Sequence, residues 1–356
     1  MDNRKIRVAI THGDTNGIGY EVILKALEDP MMLELCTPII YGSPKVASYH
    51  RKALELETQY NIISSAEGAR EDRVNLLSTF DDEVKVELGQ PTEESAEAAR
   101  KAVARAKEDL VKGLYDVLVM GPIRSNPNPA KEDKSLTMMV SDTIRIALAT
   151  THLPIKDVAQ AITCEKLVDK IKIFHTSLKR DFRISNPRIA VLALNPQLGA
   201  EEQEVITPAV NTLASEAMPV FGPYLADEFF GNHLYDYFDG VLAMYDDQGI
   251  LPFRTLALDG GVKLKAGISA ICTTPDLDPA FEIAGKNLAD PQSMRQAIYT
   301  AVDMFRFREE YDSLLANQLP KYYHEKREDG DKARFAMKAK DQFKKTDEQH
   351  PKPEEK

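Results

Sequence analysis

Two adjacent carboxylates, Asp246 and Asp247, follow an apolar run over residues 240–245 that has the composition of a buried strand. Successive side chains in an extended segment point to opposite faces, so we do not expect both acids to face one ligand. Aspartate oxygens, completed by amide oxygens of Asn or Gln, are ligands that hard divalent cations prefer. An Asx-turn that also caps the next helix is the alternative, and the spacing leaves both open.

The seven histidines of the chain include none in the HxxxH or HxH spacing of a local metal site. His152 follows the strand-like run 147–151 and precedes Pro154, which places it at a further strand end. It is either a ligand or a hydrogen-bonded structural residue. No GxSxG sequence occurs, and no Ser or Cys has the context of a nucleophile. The sequence therefore gives no sign of covalent catalysis.

Three glycines, Gly13, Gly17 and Gly19, accompany the polar loop 11–16 at the end of the first predicted strand. They match neither GxGxxG nor the GK[ST] of a P-loop. A strand–turn–helix junction can still bind an anion through backbone N–H groups. A tight turn with no ligand explains the glycines equally well, and both interpretations stay open here.

Alternating strands and amphipathic helices must position these loops. Strands are predicted at 6–11, 117–120, 188–194 and 240–245, and the clearest helices begin near Thr92 and Pro291. This alternation predicts an α/β fold with a parallel sheet covered on both faces. Ligands of such sheets bind outside the carboxyl ends of the strands, which selects the loops 11–16, 121–125, 195–199 and 245–249.

Composition restricts the class of protein. The chain has 356 residues, 45 basic and 56 acidic, with a net charge of −11 and 43% hydrophobic residues. Such a chain can form a sizeable core, and its acidity argues against nucleic acid as a partner. Three cysteines without a CxxC pair, no signal-type leader and no membrane-length apolar run predict a cytoplasmic protein with no membrane partner. Residues 325–356 are rich in charge and predict a disordered tail.

Several of these strand-end segments resemble the 4-hydroxythreonine-4-phosphate dehydrogenase family of vitamin B6 biosynthesis. The resemblance extends from about residue 6 to residue 310, with the motifs in the family's order. The matching segments are residues 10–21 (ITHGDTNGIGYE), 149–154 (ATTHLP), 194–196 (LNP), 222–227 (GPYLAD), 241–249 (VLAMYDDQG) and 282–286 (EIAGK).

This resemblance implies two α/β/α domains with mostly parallel central sheets, similar to the isocitrate/isopropylmalate dehydrogenase-like fold. The first domain would comprise residues 1–127 and 270–320, and the second residues 128–269. It also implies a homodimer that oxidises and decarboxylates 4-phosphohydroxy-L-threonine, a small phosphorylated substrate. The implied cofactors are NAD and a divalent metal, which would be zinc, magnesium or cobalt.

The resemblance also implies roles for individual residues. His152, Gln197 and Asp246 would hold the metal, and Asp247 would be catalytic. Arg254 and Lys263 would bind the substrate's phosphate.

The sequence departs from the family at these same positions. Gln197 and Asp246 replace two metal-binding histidines, and Cys272 replaces a substrate-binding arginine. A Gly-His-Thr-Glu segment is missing, since no histidine lies between Pro122 and Ala147. A catalytically degenerate homologue that keeps the dimeric scaffold, or a relative with an altered substrate, is therefore the alternative to an active enzyme.

Overall fold

The computed structural model describes residues 4–80, 84–124, 135–258 and 260–316. The chain divides into two units, Met1–Asp312 and Ser313–Lys356, and the first contains the sheet. Of the second unit, only residues 313–316 are described. The tail predicted over 325–356 therefore lies outside the described residues. Within the described ranges, no helix is long and apolar enough to cross a membrane.

Twelve strands form one sheet in the described chain. They are β1 Arg7–Thr11, β2 Thr37–Gly42, β3 Tyr60–Ile63, β4 Val74–Ser78, β5 Val117–Met120, β6 Leu136–Val140, β7 Arg145–Leu148, β8 Ile189–Leu192, β9 Val220–Tyr224, β10 Gly240–Ala243, β11 Val262–Ala266 and β12 Ile271–Pro275.

Helices connect most of these strands. They are α1 Gly19–Ala26, α2 Met31–Leu35, α3 Pro44–Ala53, α4 Glu93–Val111, α5 Ile155–Ala161, α6 Cys164–Arg180, α7 Thr207–Ser215, α8 Ala226–Gly231, α9 Asp246–Leu256 and α10 Gln292–Ala316. Short 3₁₀ turns lie at Ala66–Gly68 and Leu234–Tyr237, and a π-helical turn lies at Glu202–Ile206.

The strand order in the sheet is β3-β4-β2-β1-β5-β12-β11-β6-β7-β10-β8-β9. Both flanks are parallel, while β11 pairs antiparallel with β12 and with β6, and β6 pairs antiparallel with β7. The predicted α/β fold with a mostly parallel sheet is confirmed. Six strands from β3 to β12 come from residues 7–120 and 271–275, and the other six come from residues 136–266. This distribution is compatible with the two predicted domains, whose boundaries stay a prediction.

Local sequence explains where the long helices begin. Thr92 caps α4, because its Oγ1 accepts a hydrogen bond from the Ser95 N–H at 3.2 Å. Gly113 follows the helix with a φ of +68°, a left-handed conformation that glycine adopts without strain. The Asp290 carboxylate accepts from the Gln292 N–H at 2.9 Å at the start of α10. The predicted starts of both helices are confirmed, and α10 continues to Ala316.

Candidate active site

The predicted site lies where three neighbouring strands end. The order β7-β10-β8 places the segments after Leu148, Ala243 and Leu192 side by side at the carboxyl edge of the sheet. Backbone and side-chain bonds join the first two segments. The Thr150 N–H and hydroxyl both donate to the Met244 carbonyl, at 3.1 and 2.7 Å. The chain thus fixes the positions from which His152 and Asp246 project.

His152 and Asp246 contact each other, but not as two ligands of one metal would. The His152 backbone N–H donates to Asp246 Oδ2 at 2.5 Å, and His152 adopts a left-handed φ of +58°. The imidazole itself is exposed. Asp246 is the first residue of α9, so its carboxylate ties the start of this helix to the loop after β7. The N-cap residue of α9 is Tyr245, without a side-chain cap bond, so the Asp246 carboxylate joins two loops and does not cap its own helix.

Asp247 has a different environment from its neighbour. Both acids lie in the first turn of α9, where an extended segment was expected, and Asp247 is exposed while Asp246 is half-buried.

The next residue, Gln248, has a role that the sequence did not reveal. Its Oε1 accepts from the Met244 N–H at 2.7 Å and its Nε2 donates to the Ala193 carbonyl at 2.6 Å. Gln248 therefore joins the ends of β10 and β8.

Gln197 lies in the loop after β8, and its side chain is exposed. Among the described residues, no hydrogen bond joins it to His152 or Asp246.

The loop after β8 is held by Glu202, a buried carboxylate that the predicted site did not include. Glu202 Oε1 accepts from the Leu194 and Asn195 N–H groups, both at 2.9 Å, and Oε2 accepts from the Gly199 N–H at 2.6 Å. Burial alone would raise the pKa of Glu202, but these N–H donors outweigh it and lower the pKa.

Glu202→Gln is expected to lower the free energy of unfolding by about 1–3 kcal/mol, because a neutral amide cannot satisfy three buried N–H donors. Amide hydrogen exchange of residues 194–199 should accelerate, since the loop loses its anchor. Glu201→Gln is the matched control, because Glu201 bonds the loop through one contact, Asn195 Nδ2 to Oε2 at 3.0 Å. Equal exchange rates in the two variants would contradict the anchoring role of Glu202.

The three predicted metal ligands differ in kind from the set that zinc prefers. They are one exposed imidazole, one carboxylate already bonded to a backbone N–H, and one exposed amide. Within the described ranges, no group of three His, Cys, Asp or Glu side chains is placed to hold a metal ion. Zinc prefers His and Cys ligands in a closed tetrahedral set. The donor set implied by the resemblance therefore fits zinc poorly.

Arg254 and Lys263, the predicted phosphate ligands, lie in different surroundings. Arg254 is in the last turn of α9, and one edge of its guanidinium, Nε with Nη2, binds Asp276. Lys263 is a half-buried residue of β11, between Met139 of β6 and Thr274 of β12. An open cavity of about 540 Å³ beside Arg254 does not include Lys263 in its lining. The structure thus does not unite the two cations at one cavity.

The glycine loop after β1 is a tight turn in which several backbone N–H groups already donate hydrogen bonds within the protein. Asp14 N–H donates to the Pro122 carbonyl, Asn16 N–H to Asp14 Oδ1, and Ile18 N–H to the Pro279 carbonyl, at 2.9–3.0 Å. Gly13 has a φ of +79°, and a Cβ there would lie 2.4 Å from the Pro122 oxygen. The glycine is therefore required by close backbone approach. Of the two interpretations left open, the structure favours the turn over the anion site.

Known proteins match almost the whole chain. The profile of the family described as "Pyridoxal phosphate biosynthetic protein PdxA" matches residues 34–301. A 4-hydroxythreonine-4-phosphate dehydrogenase of Bacteroides thetaiotaomicron is 46% identical over 94% of this chain and 98% of its own length. One from a Sulfurihydrogenibium species is 32% identical over 85% of this chain and 99% of its length. The crystal structure of such an enzyme from Burkholderia phymatum has a TM-score of 0.68 and 28% identity, over 85% of this chain and 99% of that one.

Proposed function

Because the chain belongs to the PdxA family of pyridoxal phosphate biosynthetic proteins, we propose that it is an NAD-dependent dehydrogenase of 4-phosphohydroxy-L-threonine. The observation that carries this proposal is the 46% identity to a 4-hydroxythreonine-4-phosphate dehydrogenase over nearly all of that protein's length. The strand-end loops at the carboxyl edge of β7, β10 and β8 support it, because ligands of parallel α/β sheets bind there. Homodimerisation, cytoplasmic location and the two-domain division remain predictions that accompany it.

The reaction places clear demands on the chain. Bound NAD would supply the acceptor for the hydride of the carbinol carbon, and the hydroxyl proton must pass to a base. We assign that proton to Asp247, which is exposed in the first turn of α9. We assign the exposed imidazole of His152 to a hydrogen bond with the alcohol oxygen, which becomes the ketone oxygen. Loss of carbon dioxide then leaves the electrons of the broken C–C bond on that ketone as an enolate, and a donor at this oxygen stabilises it.

A non-catalytic homologue that keeps the scaffold is the second candidate, and two observations favour it. In the part of the chain that the structure describes, no group of three His, Cys, Asp or Glu side chains is placed to hold a metal ion, and the predicted phosphate ligand Arg254 is already bound by Asp276. Either feature alone weakens substrate binding, and together they remove much of the polar environment that the reaction requires.

One assay separates the two candidates. Purified full-length protein with NAD and 4-phosphohydroxy-L-threonine should form NADH, and Asp247→Asn should lower kcat by about 10²–10⁴-fold because it removes the base. Asp142→Asn, an exposed acid in the β6–β7 turn at the opposite edge of the sheet, should leave kcat unchanged. Absence of both NADH formation and NAD binding would establish the scaffold candidate.

Metal analysis tests the ligand set independently of turnover. After dialysis against zinc-free buffer, the protein should retain well under one equivalent of zinc, because its donor set is too weak for a closed site. His152→Ala should retain the same amount as the unaltered chain. Stoichiometric zinc that disappears in His152→Ala would show that the three predicted ligands do converge.

A further inference from the structure

Arg254 and Asp276 form a bidentate ion pair at the predicted phosphate position. Nε donates to Oδ2 at 2.8 Å and Nη2 donates to Oδ1 at 2.7 Å. The Asp276 side chain is 7% exposed, whereas that of Arg254 is 51% exposed. Asp276 directly follows β12, and its backbone N–H donates to the Gly261 carbonyl at 2.8 Å. The carboxylate is therefore fixed by the sheet, and the longer arginine side chain reaches it.

The cavity beside this pair is acidic. Among the described residues that line it, Arg254 is the single cation, and the acids are Asp276, Asp278, Glu282 and Asp290. The hydrogen bonds to Asp276 raise the pKa of Arg254, and the negative charges of Asp276 and Asp278 raise it further. The guanidinium charge is thus neutralised within the protein before any ligand arrives. An incoming phosphate would meet carboxylates on the same wall.

We propose that Asp276 is a specificity-determining residue that withholds Arg254 from phosphate groups. The inference rests on the proposed function for its assignment of Arg254 to the substrate's phosphate. The side edge of the guanidinium, Nε with Nη2, is already bound to Asp276, so a phosphate must displace the carboxylate or bind beside it at Nη1. A phosphate at Arg254 would lie close to the Asp276 carboxylate, and these two negative charges repel strongly where solvent is partly excluded. The unaltered site therefore binds doubly charged phosphate weakly.

Replacement of the carboxylate by its neutral isostere should reverse this preference. Binding of inorganic phosphate to full-length protein is measured by isothermal titration at pH 8, where phosphate is a dianion. Asp276→Asn should bind phosphate about tenfold more tightly than the unaltered chain, because one like charge is removed beside the guanidinium. Asp278→Asn is the matched control, since it removes the same charge from the same cavity without a hydrogen bond to Arg254. It should change the affinity less than about twofold.

The double variant Arg254→Gln/Asp276→Asn tests whether the gain passes through the arginine, and it should lose the whole gain. Equal or weaker phosphate binding in Asp276→Asn would overturn the proposal, because it would mean that the carboxylate orients the guanidinium for a ligand. A gain that survives in the double variant would overturn it as well. Thermal unfolding of each variant verifies folding, and Asp276→Ser replaces Asp276→Asn if the latter does not fold.

These measurements require no turnover, so they succeed or fail separately from the proposed dehydrogenase activity. If NADH formation is observed, Asp276→Asn should lower KM for 4-phosphohydroxy-L-threonine and leave kcat unchanged, because phosphate binding is the same in ground state and transition state. A fall in kcat at constant KM would instead indicate a role of Asp276 in the chemical step and would contradict the specificity role.

Discussion

Arg308→Ala is expected to lower the free energy of unfolding by about 3–5 kcal/mol, a large part of the total stability of an ordinary domain. Arg308 Nε donates to Asp181 Oδ1 at 2.6 Å, and the two side chains are 8% and 3% exposed. Removing the arginine leaves the aspartate charge buried without its counter-ion, which costs more than the pair itself contributes. Chemical unfolding monitored by circular dichroism measures the change.

The position of this pair explains why its effect should spread beyond one contact. Arg308 belongs to α10 and Asp181 follows the last residue of α6, while Arg308 Nη1 also donates to the Ser269 carbonyl at 2.8 Å. Ser177 adds a hydrogen bond from its hydroxyl to Asp181 Oδ2 at 2.6 Å. One guanidinium thus joins two helices and the turn between β11 and β12. The predicted domain boundary at residues 269 and 270 lies in that turn.

Arg183→Ala is the matched control for this prediction. Arg183 also joins the end of α6 to α10, through Glu310 at 2.9 Å, but both side chains are largely exposed. An exposed pair of this kind contributes about 0–1 kcal/mol, because water solvates both charges when the pair is broken. If Arg308→Ala and Arg183→Ala have the same stability, the buried pair does not have the proposed role.

The elements that the sequence predicted well are those whose signals are local. Thr92 and Asp290 are cap residues directly before amphipathic runs, and Gly113 stands where a left-handed residue ends a helix. The strands in the parallel flanks of the sheet are near-continuous apolar runs, and this pattern identifies them as buried strands. The antiparallel centre was not predicted, because Val262–Ala266 alternates buried and half-buried residues and pairs with strands far away in sequence.

The sequence predicted where the loops of His152 and Asp246 lie, but not the contacts that they make. The rule that ligands bind at carboxyl ends of strands selected the loops of His152 and Asp246, and the structure places them in contact. The contacts of Gln248 and Asp276 gave no local signal. Gln248 binds a carbonyl 55 residues away, and Asp276 binds an arginine 22 residues away. Such partners follow from the strand order, which the sequence pattern does not specify.

Acid is expected to destabilise the protein through a buried histidine that the predicted site did not include. His12 follows β1 and is fully buried, and neither ring nitrogen makes a hydrogen bond of standard geometry among the described residues, although the backbone of Ala98 and Gly13 acts to raise its pKa. Burial, together with the nearby charge of His50, lowers the pKa of His12 from its ordinary value of 6.5 to about 3. The ring stacks on Tyr20 at a centroid distance of 5.1 Å, and Tyr20 stacks on His50 at the same distance.

The sign of the effect follows from which state binds the proton. Above pH 6.5 the imidazole is neutral in both the folded and the unfolded chain, and His12 gives no pH dependence. Between pH 6.5 and about 3 the unfolded chain binds a proton that the folded chain refuses, so stability falls as the pH falls. The slope is about 1.4 kcal/mol per pH unit, or roughly 2–3 kcal/mol between pH 6.5 and 4.5. Burial also lowers the pKa of His50, which acts in the same direction.

His12→Phe keeps an aromatic ring against Tyr20 but cannot bind a proton, so its stability should depend less steeply on pH. Urea unfolding at pH 7.0, 6.0, 5.0 and 4.5 gives the slope for each variant, and His152→Phe, at an exposed site, should retain the slope of the unaltered chain. The comparison uses slopes, because the phenylalanine also changes packing and therefore shifts stability equally at every pH. An unchanged slope in His12→Phe would mean that the folded chain admits the proton, which requires that the backbone of Ala98 and Gly13, or a water, accept a hydrogen bond from the charged ring.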